Sequence, residues 1–309
     1  MARVYAIGET VLDIIFKNGK VKEAVPGGSM LNASVSMSRA GLDVALISDT
    51  GNDKTARLTQ AFLEDNGVGC RYICRQKGVK TPLALAFLDQ NNDACYEFYR
   101  DAKAKDPGFA LPPFSENDIL LFGSYYSLSS RTRDSVREVV HRAADKGVII
   151  IYDLNFRSPH AGELPDLLPV ICENTKLAHI VRGSEEDLVT IFNDSSLLPL
   201  REFAGETATL AITRAGKPVQ IDSPSLKGCF PVRKIKTVST IGAGDSFNAG
   251  IIYGIVKERL SAGDIRKLGR EQWQRITEYG SLFASDVCCS YGNYISSGLA
   301  DSMKSSSSV

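Results

Sequence analysis

The run TVSTIGAGDSFNAG, residues 237–250, places the glycines Gly242, Gly244 and Gly250 and one carboxylate, Asp245, between a β-branched segment and an apolar one. Beyond it, Phe247, Ile251, Ile252, Ile255 and Val256 recur at helical spacing, so the first glycines fall at a helix N-terminus. Unpaired N–H groups and the helix dipole favour an anion there, and Gly242, Ala243 and Gly244 let a phosphate approach the backbone. A carboxylate in that turn has two readings. It can cap the helix, stabilising it by about 1 kcal/mol. It can also act as a general base that takes a proton from a hydroxyl attacking a phosphoryl group. The motif alone leaves both open.

Such a turn needs a strand before it and a helix after it, and the chain alternates in that way. VYAIG, DVALIS, DILLFG, VIIIYD, AHIVR and TLAIT are nearly continuous apolar runs, which suits strands covered on both faces of a mostly parallel sheet. Helical patterns lie between them over 28–40, 54–66, 131–146, 184–193 and 243–258, several closed by a glycine: Gly41, Gly67 or Gly147. The pattern predicts one α/β domain over 1–297, a doubly wound, mostly parallel sheet with helices on both faces. Two stretches break the alternation: residues 10–25 and 81–100 read as hairpin strands turning at KNG and QNND. They predict a small β-sheet lid near 11–25 and 80–100. The tail, 298–309, is polar and serine-rich and is expected to be disordered.

Composition narrows the function. A chain of 309 residues that is 43% hydrophobic can bury a large core. Its 36 basic and 36 acidic residues cancel, so no long-range field argues for nucleic acid or an anionic membrane as partner. The start of the chain lacks the pattern of a secretory signal, and no apolar run approaches the roughly 18 residues that span a bilayer, which predicts a cytoplasmic protein. Seven cysteines without a Cys-x-x-Cys pair agree with a reducing compartment. His141, His160 and His179 lack zinc-ligand spacing, so neither a zinc site nor a Ser-His-Asp hydrolase is expected.

Nearer the N-terminus, GETVLD is followed by PGGSMLNASVSMSRAG, where Gly27 and Gly28 open a helix and Asn32 comes early within it. Taken singly these are a turn and a solvated helix residue. Taken in order, G-E-x-x-x-D, G-G-x-x-x-N-A and T-x-G-A-G-D-x-F resemble the ribokinase-like (PfkB-type) carbohydrate kinases, collinearly over residues 3–295. The resemblance implies that ATP with Mg2+ and a sugar meet in a cleft between the α/β domain and the lid. In that scheme Asp245 deprotonates the accepting hydroxyl, Gly242, Ala243 and Gly244 form an anion hole, and Asp13, Gly27, Gly28 and Asn32 bind the sugar. The family does not use the G-x-x-x-x-G-K-[ST] loop, so its absence here carries no weight.

The finer reading rests on fewer residues. The lid segment ending in YEFYR resembles the F-x-F-Y-R of the fructokinase branch, and DLNFR resembles a D-x-N-x-R segment shared by fructokinases and 2-keto-3-deoxygluconate kinases. These make Phe98, Arg100 and Arg157 candidate sugar contacts. As plain surface residues the arginines would form exposed ion pairs worth about 0–1 kcal/mol. Facing a cleft, they could bond ketose hydroxyls or clamp a sugar-acid carboxylate. Phe98, where the keto-deoxygluconate branch more often has tyrosine, favours a ketohexose. A 2-keto-3-deoxygluconate kinase is the alternative, and an inactive sugar- or nucleotide-binding regulatory protein is the alternative of another class. Three departures accompany the match. Ser239 stands where the family has an Asp associated with a monovalent cation, leaving cation activation open. Ser184 and Asp187 replace N-x-x-E, which organises magnesium through water, and they also read as a helix cap. Thr213 and Gly216 fall in a variant of the nucleotide segment T-x-G-x-x-G. The apolar strands of the lid suggest a second copy covering them, as a homodimer.

Overall fold

The computed structural model describes residues 2–90 and 94–305. Up to the second lid hairpin the chain runs β1 (Arg3–Ile7), β2 (Val11–Lys17), β3 (Lys20–Gly27), α1 (Ser29–Arg39), β4 (Asp43–Gly51), α2 (Lys54–Asp65), β5 (Gly69–Gln76), β6 (Leu83–Leu88) and β7 (Ala94–Tyr99). Next come β8 (Ile119–Gly123), α3 (Arg133–Asp145), β9 (Ile149–Asp153), α4 (Leu164–Leu177), β10 (Ile180–Ser184), α5 (Glu185–Phe192) and α6 (Leu198–Ala204). The last part holds β11 (Thr209–Arg214), β12 (Lys217–Asp222), β13 (Lys227–Phe230), α7 (Ala243–Lys257), α8 (Ala262–Ile265), α9 (Arg270–Cys288) and α10 (Ser297–Ser305).

Nine strands form one sheet in the order β13-β12-β11-β10-β9-β8-β1-β4-β5, parallel except for β12 and β13 at one edge. Alternate residues of the same strand enter two cores. Ile149 and Ile151 of β9 pack with α1, α7 and α9 around Trp273 and Phe283, whereas Ile150 and Tyr152 pack with α3 to α6. Both faces are therefore covered, which explains why the central strands read as unbroken apolar runs. The third glycine of the opening motif, Gly250, serves this packing: a Cβ there would come 2.3 Å from Tyr279 O on α9.

The lid is a separate sheet ordered β3-β2-β6-β7. Its first hairpin turns at Asn18 and Gly19, both with positive φ, as KNG predicts; residues 91–93 of the second turn lie outside the described residues. Register puts Asp13, Ala84 and Phe98 in one row and Ile15, Ala86 and Tyr96 in the next, on a common face. Asp13, Ile15, Ala84 and Ala86 are buried, so this face looks onto the main domain. The opposite face carries Phe16 stacked on Phe87, with Val21, Phe87 and Tyr99 exposed.

The expectation of a disordered tail over 298–309 does not hold for its described part, and residues 306–309 lie outside the described residues. The tail is helical from Ser297 to Ser305, with Ala300 buried and Leu299 and Met303 packed on the core beside α1 and α7. Met303 O also accepts a hydrogen bond from Tyr253 Oη at 3.3 Å. Overall composition hid the i, i+4 pair Leu299 and Met303, which is enough to dock a short helix on an existing core.

Candidate active site

Helix α7 starts at Ala243 behind Gly242, whose φ of 76° is left-handed; a Cβ there would also lie 2.5 Å from Asn293 O. No side chain caps this helix. The N–H groups of Gly242, Gly244 and Asp245 have no hydrogen-bond partner among the described residues, so the turn is a set of unused donors at the positive end of a 15-residue helix. It fits an anion.

Asp245 does not cap. Its Oδ2 accepts from Asn32 Nδ2 at 2.9 Å, joining α7 to α1 across 213 residues of sequence. Both side chains are buried, so the readings of Asp245 as a cap and Asn32 as a solvated residue are set aside. Burial raises the Asp245 carboxyl to about 6; the Asn32 hydrogen bond opposes the rise, the charge of Asp153 adds to it, and Arg157 and Arg182 oppose it. Asp13 faces the same space from β2 and rises to about 7, through burial first and then the charges of Asp245 and Glu9. Gly27 makes room for it, since a Cβ there would stand 1.9 Å from Asp13 Oδ2. Gly28, with φ of 118°, turns the chain into α1, and a Cβ there would stand 2.2 Å from Glu9 O. Asp13, Gly27, Gly28, Asn32 and Asp245 thus lie together around one space.

Beneath the glycine turn lies a network that the motifs did not reveal. Arg182 Nη1 bonds Asp153 Oδ1 at 3.1 Å, and Arg182 Nη2 donates to Thr213 Oγ1 at 2.9 Å. Asn248 of α7 donates to the other oxygen of Asp153 at 2.8 Å. Arg182 and Asp153 are register partners in the central sheet, and the guanidinium presents its Nη1 and Nη2 edge to Gly244, each nitrogen 2.9 Å from where a Cβ would be. The glycine turn therefore rests on a buried ion pair. A lone arginine within the apolar run AHIVR was the available signal, because a charge in a doubly covered strand demands a buried partner.

On the lid, Arg100 is held rather than free. Its Nε and Nη2 both bond the Glu9 carboxylate at 2.8 Å, and its guanidinium stacks 4.6 Å over Phe98. Arg157 is exposed and its guanidinium has no hydrogen bond or ion pair among the described residues, yet its charge reaches Asp245 and Tyr96. Phe98 is exposed and stacks on Tyr96.

Toward the expected nucleotide side, Ser184 and Asp187 form a reciprocal capping box on α5. Asp187 Oδ2 accepts from Ser184 N and Oγ, and Oδ1 accepts from Phe156 N, each at 2.7 Å. With both oxygens engaged, Asp187 suits contact with a metal through water better than direct ligation. No group of three His, Cys, Asp or Glu side chains able to hold an ion occurs among the described residues. Thr213 is occupied by Arg182, while Gly216 sits in the open β11–β12 turn with φ of 73°, and no described contact joins it to Asp245. The Ser239 hydroxyl accepts from Ile241 N at 3.2 Å and brings no charge to the loop before α7. No helix among the described residues is long and apolar enough to cross a membrane.

Comparison with known proteins draws these observations together. The family model described as pfkB family carbohydrate kinase matches residues 1–297. Fructokinase-1 of Zea mays is 24% identical over 279 residues, covering 86% of each chain. Aminoimidazole riboside kinase of Salmonella typhimurium is 22% identical over 259 residues, covering 82% of this chain and 81% of that protein. A double mutant of Vibrio cholerae fructokinase, solved with fructose, ADP and potassium ion, superposes with a TM-score of 0.84 at 21% identity over 98% of both chains. At that identity the superposition establishes the ribokinase-like fold.

Proposed function

The chain belongs to the pfkB family of carbohydrate kinases and is a sugar kinase that uses ATP, and from that premise we propose that it phosphorylates a ketohexose, as a fructokinase does. The observation that carries the mechanism is one buried carboxylate, Asp245, in the same turn as the unused N–H groups of Gly242 and Gly244. Asp245 takes the proton of the acceptor hydroxyl as its oxygen bonds the γ-phosphorus; the bond to the bridging oxygen breaks and ADP leaves. A carboxyl raised to about 6 is still ionised at neutral pH, yet is more basic than an ordinary aspartate. The N–H donors offset the charge on the transferring oxygens. Asp13 and Asn32, with the bare backbone at Gly28, orient the sugar. Ser184 and Asp187 would face the hydrated magnesium, with Thr213 and Gly216 on the nucleotide side. The ion would neutralise charge on the β- and γ-phosphates.

The pairing of Arg100 with Glu9 supports a neutral acceptor, because it removes one of the two cleft arginines as a free cation. The unpaired Arg157 favours the second reading, a 2-keto-3-deoxygluconate kinase, since it could hold a carboxylate. A coupled ADP-release assay with fructose, 2-keto-3-deoxygluconate, ribose, tagatose and nucleosides separates them. Turnover of fructose is expected. Turnover of the keto acid alone would transfer the assignment, and no turnover of any sugar would favour an inactive binding protein.

Because the Arg157 guanidinium has no partner among the described residues, its hydrogen bonds are available to the sugar, whereas those of Arg100 are shared with Glu9. Arg157→Ala is expected to lower kcat/KM for the sugar by about tenfold to a hundredfold, with the KM for ATP little changed and Arg100→Ala the milder of the two. Unaltered sugar kinetics in Arg157→Ala would remove it from the site. We also place this enzyme in the cytoplasm, as a homodimer with the outer lid faces together. The exposed Val21, Phe87 and Tyr99 support that arrangement. Sedimentation equilibrium should find a dimer that Phe87→Asp converts to monomer; a monomeric wild type would end this part of the reading.

A further inference from the structure

The fructokinase-like lid pattern F-x-F-Y-R has tyrosine, Tyr96, at its first aromatic position in this chain. That change adds one hydroxyl, and its location gives it meaning. Tyr96 lies in the lid row Ile15, Ala86, Tyr96, on the face that looks onto the main domain. Its ring is half-buried and stacks on Phe98 with centroids 5.9 Å apart and planes 14° from parallel. Burial pushes the phenol up to about 12, and the charges that then act on it are Asp13, Arg157 and Asp245, all groups of the cleft. The hydroxyl has no hydrogen-bond partner among the described residues. A tyrosine hydroxyl held in a half-buried position usually finds a partner, and a phenol can both donate to and accept from a polyol.

Resting on the sugar-kinase reading above, we infer that Tyr96 is a specificity-determining residue, whose hydroxyl bonds an acceptor hydroxyl other than the one phosphorylated at Asp245. It shares that acceptor with Asp13 and Arg157, and it gives the lid a polar contact with the sugar that the phenylalanine of the fructokinase pattern cannot make. The ligand class is a polyol presenting at least two hydroxyls into the cleft, one toward Asp245 and one toward the lid.

Tyr96→Phe isolates the hydroxyl, because the ring and its stack on Phe98 remain. Steady-state kinetics with the best sugar should show kcat/KM reduced about threefold to tenfold, the range of a single neutral hydrogen bond, with the KM for ATP and the melting temperature unchanged. The diagnostic readout is a series of monodeoxy analogues of that sugar. Wild type should discriminate against the loss of one particular hydroxyl, and Tyr96→Phe should lose that discrimination while keeping the others. Tyr99→Phe, on the outer face of the same strand, should match wild type throughout. Tyr96→Phe kinetics and deoxy penalties equal to wild type would overturn the inference and leave the kinase reading intact. A wild type that turns over no sugar would overturn both.

Discussion

Asp245→Asn is expected to leave the protein folded while kcat falls by at least about a hundredfold, the usual loss when a general base is removed. An asparagine keeps the shape of the side chain and can still accept from Asn32 Nδ2, so the α1–α7 contact survives. What it cannot do is take the proton of the acceptor hydroxyl. The stability of the variant should move in the opposite direction to its activity. Asp245 has a folded pKa raised to about 6 from 3.8, so the native state of wild type binds the extra proton more tightly and loses stability as pH rises through that window. Asparagine has no such dependence. Melting temperatures at pH 8 should therefore equal or exceed those of wild type. The activity profile carries the same signature: kcat/KM of wild type should fall as pH drops below about 6, where Asp245 becomes protonated, with Asp13 coupled to the transition. Residual turnover of Asp245→Asn should lack that acidic limb. Near-native kcat in the folded variant would sink the base assignment.

Arg182→Met is expected to be the most damaging single change to stability in the site. Methionine fills much of the space but leaves the Asp153 carboxylate, which has no solvent exposure, without its cation. Breaking a buried pair in this way costs about 3–5 kcal/mol, which for a chain of this size lowers the melting temperature by on the order of 10 °C. The pH dependence identifies the cause. Burial already raises the Asp153 carboxyl with Arg182 opposing, so without Arg182 its folded pKa rises further above the unfolded value. The deficit should therefore be full at pH 8 and shrink as acid protonates Asp153. Asp153→Asn combined with Arg182→Met should recover part of the loss, because no uncompensated charge remains. A single-variant loss below about 1 kcal/mol, independent of pH, would show that the ion pair does not support the turn.

Much of this site was legible in the sequence because its parts are local. Gly242 to Asp245 read as a helix N-terminus because the apolar period begins two residues later, and the central strands read as strands because both faces are buried. The same locality explains the misses. Asp187 looked equally like a metal-organising carboxylate and a cap, and the fold supplies the cap together with the Phe156 N–H. Arg100 looked like a free cation until tertiary contact put Glu9 against it. The C-terminal helix escaped because two apolar side chains among serines give little signal without the surface on which they dock.

By itself the sequence determined the doubly wound sheet, the small second sheet and the glycine turn at the start of α7, since backbone propensity and side-chain period act over a few residues. Tertiary structure alone decided which carboxylates lose water, how Asn32 reaches Asp245, which arginine is left unpaired, and that Arg182 and Asp153 lie beneath the glycine turn. Those properties depend on desolvation and on Coulomb interactions between groups far apart along the chain, and such distances are set only when the sheet brings its strands together.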